Sequence, residues 1–201
     1  MNIKSYSDER IHKVVIEFLL NERKGRLLDV GAGTGGLTNK LKEEGFDVGA
    51  CDINPKNFIA KLIKCKKVDL NKKMPYKEES FDVVVCTEVI EHIENPWHLI
   101  REFHRIIKPQ GILILSTPNL HNWYVRLFYL FTSKLFNFLS SYEKIGHITP
   151  IHLWNLKRMI SHKFRIEKIK TDYSKIPLVN IPLPFKGISF GQCLVINMRK
   201  I

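Results

Sequence analysis

The sequence has few cysteines, a polar start and no long uninterrupted apolar run. It contains four cysteines, none of them in a C-x-x-C pair, which favours reduced thiols over a disulfide framework. The first ten residues lack an apolar core, so no signal peptide is expected. Arg126 and Lys134 interrupt the aromatic-rich segment 121–142 well short of the roughly 18 clean apolar residues of a transmembrane helix. These absences together predict a cytoplasmic protein.

Acidic residues are also fewer than basic ones. The chain has 32 Lys and Arg against 20 Asp and Glu, a formal net charge of +12, which favours anionic partners such as nucleic acid, anionic lipid or phosphorylated acceptors. The lysines are dispersed and no arginine-rich RNA module is appended, so a solvated basic surface explains the charge as well. With 201 residues, 44% of them hydrophobic, the chain is expected to form a single domain, 1–201.

A glycine-rich turn is the most informative motif. Residues 27–36 (LLDVGAGTGG) predict a buried strand that ends in an acid, then a sharp turn, then a helix. Glycine allows the backbone to turn tightly and to approach a ligand closely. The helix that follows presents free main-chain N–H groups and the positive end of its dipole. The motif predicts a binding site for an adenosine-type cofactor.

Two cofactor classes fit this turn. The spacing of Gly31, Gly33 and Gly36 matches G-x-G-x-x-G of dinucleotide-binding folds, and Asp52 ends the next predicted strand, where a ribose-binding acid would lie. Asp29 favours the other class. Its charge is expected to point into the cleft, where it would repel a pyrophosphate and attract the ammonium group of an amino acid.

The periodicity alternates between strand and helix along the whole chain. Strands are expected at about 26–30, 46–51, 81–86 and 111–116, with a short one reaching Val68, and later near 164–171 and 192–198. A helix is expected after Asp52, with Asn54 as N-cap, Pro55 in its first turn and an inner face of Phe58, Ile59, Leu62 and Ile63. Others are expected at about 96–107, capped by Asn95, and from about Thr149. This order predicts a doubly wound α/β fold.

The tight turn Gly31-x-Gly33-x-Gly35, preceded by Asp29, resembles the first motif of the class I S-adenosylmethionine-dependent methyltransferases. From Leu27 to about Asn119 the chain is similar to the type 11 and type 12 methyltransferases, which include the ubiquinone-pathway O-methyltransferases. The resemblance implies a mostly parallel seven-stranded sheet with an antiparallel last strand, and a helical insertion after strand 5. It also implies S-adenosylmethionine as methyl donor and S-adenosylhomocysteine as product.

The resemblance further assigns the residues that hold this cofactor. The methionine part would be held by the strand end and the turn, the ribose hydroxyls by the acid after the second strand, and the adenine by the pair after the third. A residue just past the fourth strand would face the methionine part. In that order the residues are Asp29, Gly31, Ala32, Gly33 and Gly35; Asp52 with Ile53; Asp69 and Leu70; and Thr87.

Candidates for the chemistry follow the fourth strand. Glu88, Glu91 and His92 lie at i, i+3 and i+4, which predicts one shared helical face. Glu88 and His92 are candidates for a general base, together with His147, whereas Glu91 is expected to hold the loop by hydrogen bonds. The resemblance also raises a divalent metal bound by this trio and completed by His147 or His152, with Zn²⁺ or Mn²⁺ suiting such donors better than Mg²⁺. A metal is not expected.

The segment 120–146 is expected to be a helical insertion over the acceptor site. Its apolar residues Tyr124, Leu127, Phe128, Phe131, Leu135 and Phe138 form one predicted helical stripe. The stripe would serve as a lid, or as an interfacial helix that reaches a lipid-linked acceptor at an anionic membrane. The apolar, proline-rich stretch 176–185 adds to this rim.

The sequence thus predicts a cytoplasmic S-adenosylmethionine-dependent methyltransferase, with peripheral contact to an anionic membrane as a further possibility. Its acceptor would be a small molecule or a lipid- or glycan-linked one, methylated at oxygen. Three alternatives remain: an RNA- or tRNA-modifying methyltransferase, an NAD-dependent oxidoreductase, and a non-catalytic cofactor-binding subunit that activates a partner.

Overall fold

A computed structural model describes residues 7–139, 146–172, 174–175, 182–183 and 187–201. Strands and helices alternate through most of the chain, as the periodicity predicts. In order, the elements are α1 (Glu9–Leu19), β1 (Arg26–Val30), α2 (Gly36–Glu43), β2 (Asp47–Asp52), β3 (Cys65–Lys67), β4 (Phe81–Thr87), α3 (Pro96–Ile106), β5 (Ile107–Pro118), α4 (Trp123–Thr132), α5 (Leu153–Ile160), β6 (Phe164–Thr171), β7 (Ser174–Lys175), β8 (Pro182–Leu183) and β9 (Cys193–Lys200).

One seven-stranded sheet, in the order β3-β2-β1-β4-β5-β9-β6, organises the fold. The neighbours from β3 to β5 pair in parallel. Strand β9 lies between β5 and β6 and is antiparallel to both, which confirms the predicted antiparallel last strand. Strands β7 and β8 form a separate short pair. The parallel strands end at one edge, and ligands of open α/β sheets bind at that edge.

The sheet is covered on both faces, which explains why its central strands are continuously apolar. Successive strand residues point to opposite faces. Val83 and Val85 therefore pack with α1 and α2, in a cluster that includes Ile11 and Leu41. Val84 packs on the other face, in a cluster formed with residues of α3 and α5.

Two helices begin at side-chain caps, and the cap at Asn95 is the predicted one. The Asp8 side chain caps α1 by accepting the main-chain N–H of Arg10 at 3.0 Å. The Asn95 side chain caps α3 by accepting the N–H of His98 at 2.9 Å, and Pro96 occupies the first turn. A side-chain oxygen at this position satisfies a donor that the helix itself leaves unpaired.

The prediction of a helix after Asp52 is wrong. Only a 3₁₀ turn, Pro55–Asn57, is present there, and the Asn54 side chain makes no capping hydrogen bond. Of the expected inner face, Ile59 is 61% exposed and Leu62 is 92% exposed. The Ile59 N–H donates to the Thr34 carbonyl oxygen at 3.0 Å, so this segment is held in extended form against the glycine turn.

Helix α5 begins at Leu153, later than the predicted start near Thr149. The N–H groups of Ile148 and Thr149 both donate to the Glu91 carbonyl oxygen, at 3.0 and 2.9 Å. The Thr149 hydroxyl donates to the Ile93 carbonyl oxygen at 2.6 Å. These bonds fasten the segment before α5 to the loop after β4 and hold it outside the helix.

The helical insertion follows β5, as predicted, but its apolar residues do not form one stripe. Helix α4 ends at Ser133, which has a left-handed φ of 55°, and a 3₁₀ turn at Phe136–Phe138 follows. Leu127 is 47% exposed and Phe131 is 79% exposed, so these two face solvent rather than the protein. The helix interruption at Ser133 breaks the 3.6-residue period on which the stripe depends.

Parts of two predicted segments, residues 140–145 of the insertion and most of 176–185, lie outside the described residues. Within the described ranges, none of the helices combines the length and the apolar composition that crossing a bilayer requires.

Candidate functional site

A cavity of about 950 Å³ opens at the carboxyl ends of the parallel strands. It lies where doubly wound sheets bind their ligands. Most of the predicted site residues line it, whereas Asp29 and Gly35 do not. Those on its wall are Gly31, Ala32, Gly33, Asp52, Ile53, Asp69, Leu70, Thr87, Glu88, His92 and His147.

The glycine turn is built for close approach. Gly31 has a left-handed φ of 71°, and a Cβ there would come within 2.2 Å of a Val89 methyl group. Gly35 has a φ of 87°, and a Cβ there would lie 2.7 Å from the Ala60 Cβ atom. Gly31 therefore shapes the cavity wall, whereas Gly35 lets the first turn of α2 pack against the loop after β2.

Asp52 holds the turn in place from the next strand. One carboxylate oxygen accepts the N–H of Gly33 at 2.9 Å, and the other accepts the N–H of Asn54 at 2.8 Å. A carboxylate has about four acceptor positions, so these two bonds leave capacity for ligand hydroxyls. The acid sits on the cavity wall, where the resemblance places the ribose.

Asp29 differs from expectation. Its side chain is 1% exposed and lies beneath the glycine turn, where it accepts the Thr38 hydroxyl at 2.6 Å. Burial raises the pKa of Asp29 to about 6, and the Thr38 hydrogen bond opposes that shift. The expectation that its charge points into the cleft is therefore wrong. From this position Asp29 supports the turn by binding Thr38 in the first turn of α2.

Asp69 and Leu70 form the wall beyond the third strand. The Asp69 carboxylate accepts the N–H of Asn71 at 3.1 Å and pairs with Lys72 at 3.2 Å. The Asn71 hydrogen bond and the Lys72 ammonium hold the pKa of Asp69 below its usual range. Leu70 is buried beside it, so a polar acceptor and an apolar surface occur together, as an adenine ring requires.

Glu88 is separated from Glu91 and His92, contrary to the shared helical face predicted for them. Glu88 has a left-handed φ of 55°, and only Ile90–His92 form a 3₁₀ turn. One Glu88 carboxylate oxygen accepts the Cys193 thiol at 2.9 Å and the Ser116 hydroxyl at 3.1 Å. Burial raises the pKa of Glu88, and these two donors oppose the shift.

A cluster of Glu91, His92 and His147 forms instead; the ligand atoms of these three residues lie within 4.8 Å of one another. The Nδ1 atoms of His92 and His147 each lie 2.9 Å from a main-chain carbonyl oxygen, of Gly146 and Asn137 respectively. A carbonyl only accepts, so each ring donates from Nδ1, which leaves Nε2 to carry the lone pair of a neutral ring. Burial and the neighbouring His147 lower the pKa of His92.

The Glu91 side chain was expected to hold the loop by hydrogen bonds. The main-chain carbonyl of Glu91 does so instead. The carboxylate is fully buried, and neither oxygen has a partner of hydrogen-bond geometry among the described residues. Burial and the Glu88 carboxylate raise the pKa of Glu91 well above its usual range, while the Thr117 hydroxyl opposes the shift. A buried carboxylate beside two imidazoles fits a divalent cation such as Zn²⁺ or Mn²⁺. His152 lies apart, as the N-cap of α5.

Sequence reasoning missed several wall residues. Tyr124, Phe136 and Asn137 of the insertion line the cavity, as do Asp172 and Cys193 from the far strands. The aromatic richness of the insertion was the available signal for the first group. Asp172 and Cys193 are distant in sequence and meet only because β6 and β9 pair.

Two buried asparagines anchor the insertion. The Asn119 amide donates to the carbonyl oxygens of Ile188 and Gly191, at 2.6 and 2.7 Å. The Asn122 amide donates to those of Phe190 and Gly191, also at 2.6 and 2.7 Å. Both side chains are fully buried. They attach the start of α4 to the loop before β9.

Comparison with known proteins identifies the family. A family model described as a methyltransferase domain matches residues 3–162. The chain belongs to this methyltransferase family. The match spans the glycine turn, Asp52 and the Glu91–His92–His147 cluster, and the observed strand order is that of a class I, Rossmann-like methyltransferase. An NAD-dependent oxidoreductase is thereby set aside.

Individual relatives agree with this placement. A ubiquinone biosynthesis O-methyltransferase from Rickettsia typhi is 35% identical over 127 residues, which cover 55% of this chain and 51% of the relative. The chain thus spans about half the length of the curated relatives it matches.

Solved structures share the fold. A putative methyltransferase from Bacillus halodurans aligns with a TM-score of 0.70 at 17% identity, over 94% of this chain and 97% of its own. The N-methyltransferase NodS from Bradyrhizobium japonicum, solved with S-adenosylhomocysteine, aligns with a TM-score of 0.62 at 13% identity, over 94% of this chain and 85% of its own.

Proposed function

We propose that this chain transfers a methyl group from S-adenosylmethionine to an oxygen of a small-molecule or lipid-linked acceptor. The observation that carries the proposal is the position of His92 on the cavity wall, with its Nε2 atom free of the hydrogen bond that Nδ1 makes. Its Nδ1 donates to the Gly146 carbonyl oxygen, and burial lowers the pKa of the ring, which favours the neutral imidazole. A hydroxyl acceptor must lose a proton during methylation, and a neutral Nε2 is able to take it.

The cavity wall fits the cofactor. S-Adenosylmethionine, when bound, supplies an electrophilic methyl group. Gly31 leaves room for close approach because a Cβ there would clash with Val89. Asp52 would accept the ribose hydroxyls with the acceptor positions that Gly33 and Asn54 leave open, and Asp69 with Leu70 would receive the adenine.

The remaining wall is suited to an acceptor ring. Tyr124 and Phe136 supply aromatic surface, and Glu88 and His147 supply polar groups near it. Since methyl transfer is an in-line displacement, holding the acceptor oxygen in position would contribute much of the rate. If a cation is used, the Glu91–His92–His147 cluster would hold it. His92 Nε2 would then be a ligand instead of the base, and the cation would stabilise the deprotonated oxygen.

A lipid-linked acceptor is supported by the outer side of α4. Tyr124 lines the cavity, while Leu127, Leu130 and Phe131 of the same helix are 47%, 73% and 79% exposed. Arg126 and Lys134 are exposed at the helix and just beyond it, and the net charge is +12. An apolar helix face with basic flanks suits the surface of an anionic membrane.

The first experiment is calorimetric titration with S-adenosylhomocysteine, with NAD as the control. Binding of the former alone supports the proposal. Transfer of a radiolabelled methyl group is then measured to paired acceptors, catechol and 2-aminophenol, and to total RNA.

Each alternative predicts a distinct outcome. Labelled RNA would favour the RNA-modifying alternative, and labelled amine nitrogen would contradict the oxygen assignment. Cofactor binding without turnover on any acceptor would favour a non-catalytic subunit.

A further inference from the structure

We propose that the Glu88 carboxylate binds an ammonium group inside the cavity, and that Cys193 and Ser116 are the positioning residues that hold the carboxylate in place. The ammonium group belongs either to the amino-acid part of S-adenosylmethionine or to the acceptor. The inference rests on the proposed function, because it places this contact in the same methyl-transfer cavity.

The first support is the charge of the cavity wall. Although the chain has a formal net charge of +12, none of the described residues that line the cavity is Lys or Arg. The wall carries carboxylates instead, from Asp8, Asp52, Asp69, Glu88 and Asp172. Such a wall attracts cations and repels phosphate groups. The net charge of the whole chain therefore does not describe what the cavity binds.

The second support is the place of Glu88 along the sheet edge. Glu88 follows β4, which lies between β1 and β5 in the sheet. The glycine turn follows β1, and the root of the insertion follows β5. Glu88 therefore lies where the cofactor half of the cavity meets the acceptor half, and an ammonium group on either molecule can reach it.

The third support is the strained backbone of Glu88. Its φ of 55° is left-handed, a conformation that side chains other than glycine rarely adopt and that functional sites often hold. The Glu88 N–H donates to the Ser116 hydroxyl oxygen at 3.0 Å, and that hydroxyl donates back to the Glu88 carboxylate at 3.1 Å. Ser116 thus fixes both the backbone and the side chain of Glu88.

The carboxylate is also held so that one oxygen stays open. The Cys193 thiol donates to Oε1 at 2.9 Å, and this is the oxygen that the Ser116 hydroxyl also reaches. Oε2 therefore keeps its acceptor positions for a ligand. Burial raises the pKa of Glu88, and the charges of Asp172 and Asp8 add to that shift. A bound ammonium group would oppose both effects and stabilise the charged carboxylate.

The cofactor as the source of the ammonium group is tested by two calorimetric titrations. One uses S-adenosylhomocysteine, and the other uses 5′-methylthioadenosine, which lacks the amino-acid part. Glu88→Gln should weaken binding of the first by about tenfold or more, the scale for a charge-assisted hydrogen bond, and leave the second unchanged. Because Cys193 and Ser116 donate to Oε1, the glutamine oxygen would take that place and its NH₂ group would face the ligand.

The acceptor as the source is tested with the chain saturated with S-adenosylhomocysteine. Tyramine and 4-ethylphenol share a phenol ring, and only tyramine carries an ammonium group. If the acceptor supplies the charge, the parent should bind tyramine more tightly than 4-ethylphenol, and Glu88→Gln should remove this difference. A change confined to one of the two experiments identifies the source.

The positioning role of Cys193 is tested by a matched pair of variants. Cys193→Ala removes the donor to Oε1 and should show part of the loss seen in Glu88→Gln, for the same ligand. Cys193→Ser keeps a donor and should restore the affinity. Glu94→Gln, which neutralises an exposed acid of the same loop, is the control and should bind every ligand as the parent does.

Equal binding by the parent and Glu88→Gln in both experiments would overturn the proposal. So would a loss that affects 5′-methylthioadenosine as strongly as S-adenosylhomocysteine, because it would show general damage to the cavity. If Glu88→Gln fails to fold, the Cys193 variants decide, and binding by both at the level of the parent would then overturn it. A parent that binds neither adenosine ligand would instead mark failure of the proposed function.

Discussion

The Thr38 hydroxyl donates to the Asp29 carboxylate at 2.6 Å, beneath the glycine turn. The bond joins the carboxyl end of β1 to the first turn of α2, and both side chains are buried. The turn between them is thus supported from below by a polar pair in an apolar setting. In such a setting, a hydrogen bond is strong and its loss is costly.

This pairing has a pH signature. Burial raises the folded-state pKa of Asp29 from 3.8 to about 6. Folding therefore favours the protonated carboxyl, and this contribution to the free energy of unfolding is fully present below the unfolded-state pKa. That contribution is lost as the pH rises through about 6. The isosteric variant Asp29→Asn does not ionise. Its unfolding free energy relative to the parent should therefore rise by roughly 3 kcal/mol between about pH 4 and pH 7.

Urea unfolding across that range measures the difference. Asp47→Asn, at an exposed position on β2, is the control and should run parallel to the parent. Parallel curves for Asp29→Asn as well would show that the Asp29 pKa is not raised.

Asp52 should be the acid on which cofactor binding depends most. Replacing it with alanine removes the proposed acceptor for the ribose hydroxyls and also the carboxylate that holds the Gly33 N–H at 2.9 Å. The loss should weaken S-adenosylhomocysteine binding by roughly 1–3 kcal/mol, the scale for charge-assisted hydrogen bonds. Calorimetric titration measures it, with Asp47→Ala at the other end of β2 as the control. Unchanged affinity would remove Asp52 from the site.

His92 should govern the pH dependence of methyl transfer to oxygen. Its pKa is lowered from 6.5, so protonation should reduce kcat only below that pH. His92→Gln should lower kcat by roughly 10²- to 10⁴-fold, the usual contribution of a general base, while S-adenosylhomocysteine still binds.

The control for this variant is His98→Gln on α3, outside the cavity wall. A pH–rate profile of His92→Gln that keeps the acid limb of the parent would assign that limb to another group.

The exposed face of α4 should bind anionic vesicles. Co-sedimentation with phosphatidylglycerol vesicles at low salt is expected for the parent and should be lost in Leu130→Glu, because a charge would replace an apolar side chain that is 73% exposed. The control is Ile59→Glu, which places the same charge at an exposed apolar position outside α4. Failure of the parent to co-sediment would count against a membrane-bound acceptor. It would also remove the role proposed for the basic residues that flank α4.

Local pattern was sufficient for most of the fold, and most of the residues it proposes for the cofactor line the cavity. Asn95 before Pro96 marked the start of α3 because a cap is a contact between near neighbours in sequence. The same kind of reasoning failed after Asp52, where Asn54 and Pro55 look like a helix start. There the segment is held against the glycine turn by the Ile59–Thr34 bond, a contact that no local propensity encodes.

The sequence by itself determined the alternating fold, the glycine turn and the acids that follow strands 2 and 3, because each depends on residues close together in the chain. Tertiary structure decided the rest. It buried Asp29 under the turn, turned Glu88 toward Cys193, and brought His147 beside His92 with Asn137 oriented toward it. Glu88 and Cys193, and likewise His92 and His147, are far apart in sequence, and only strand pairing and the path of the insertion bring them together.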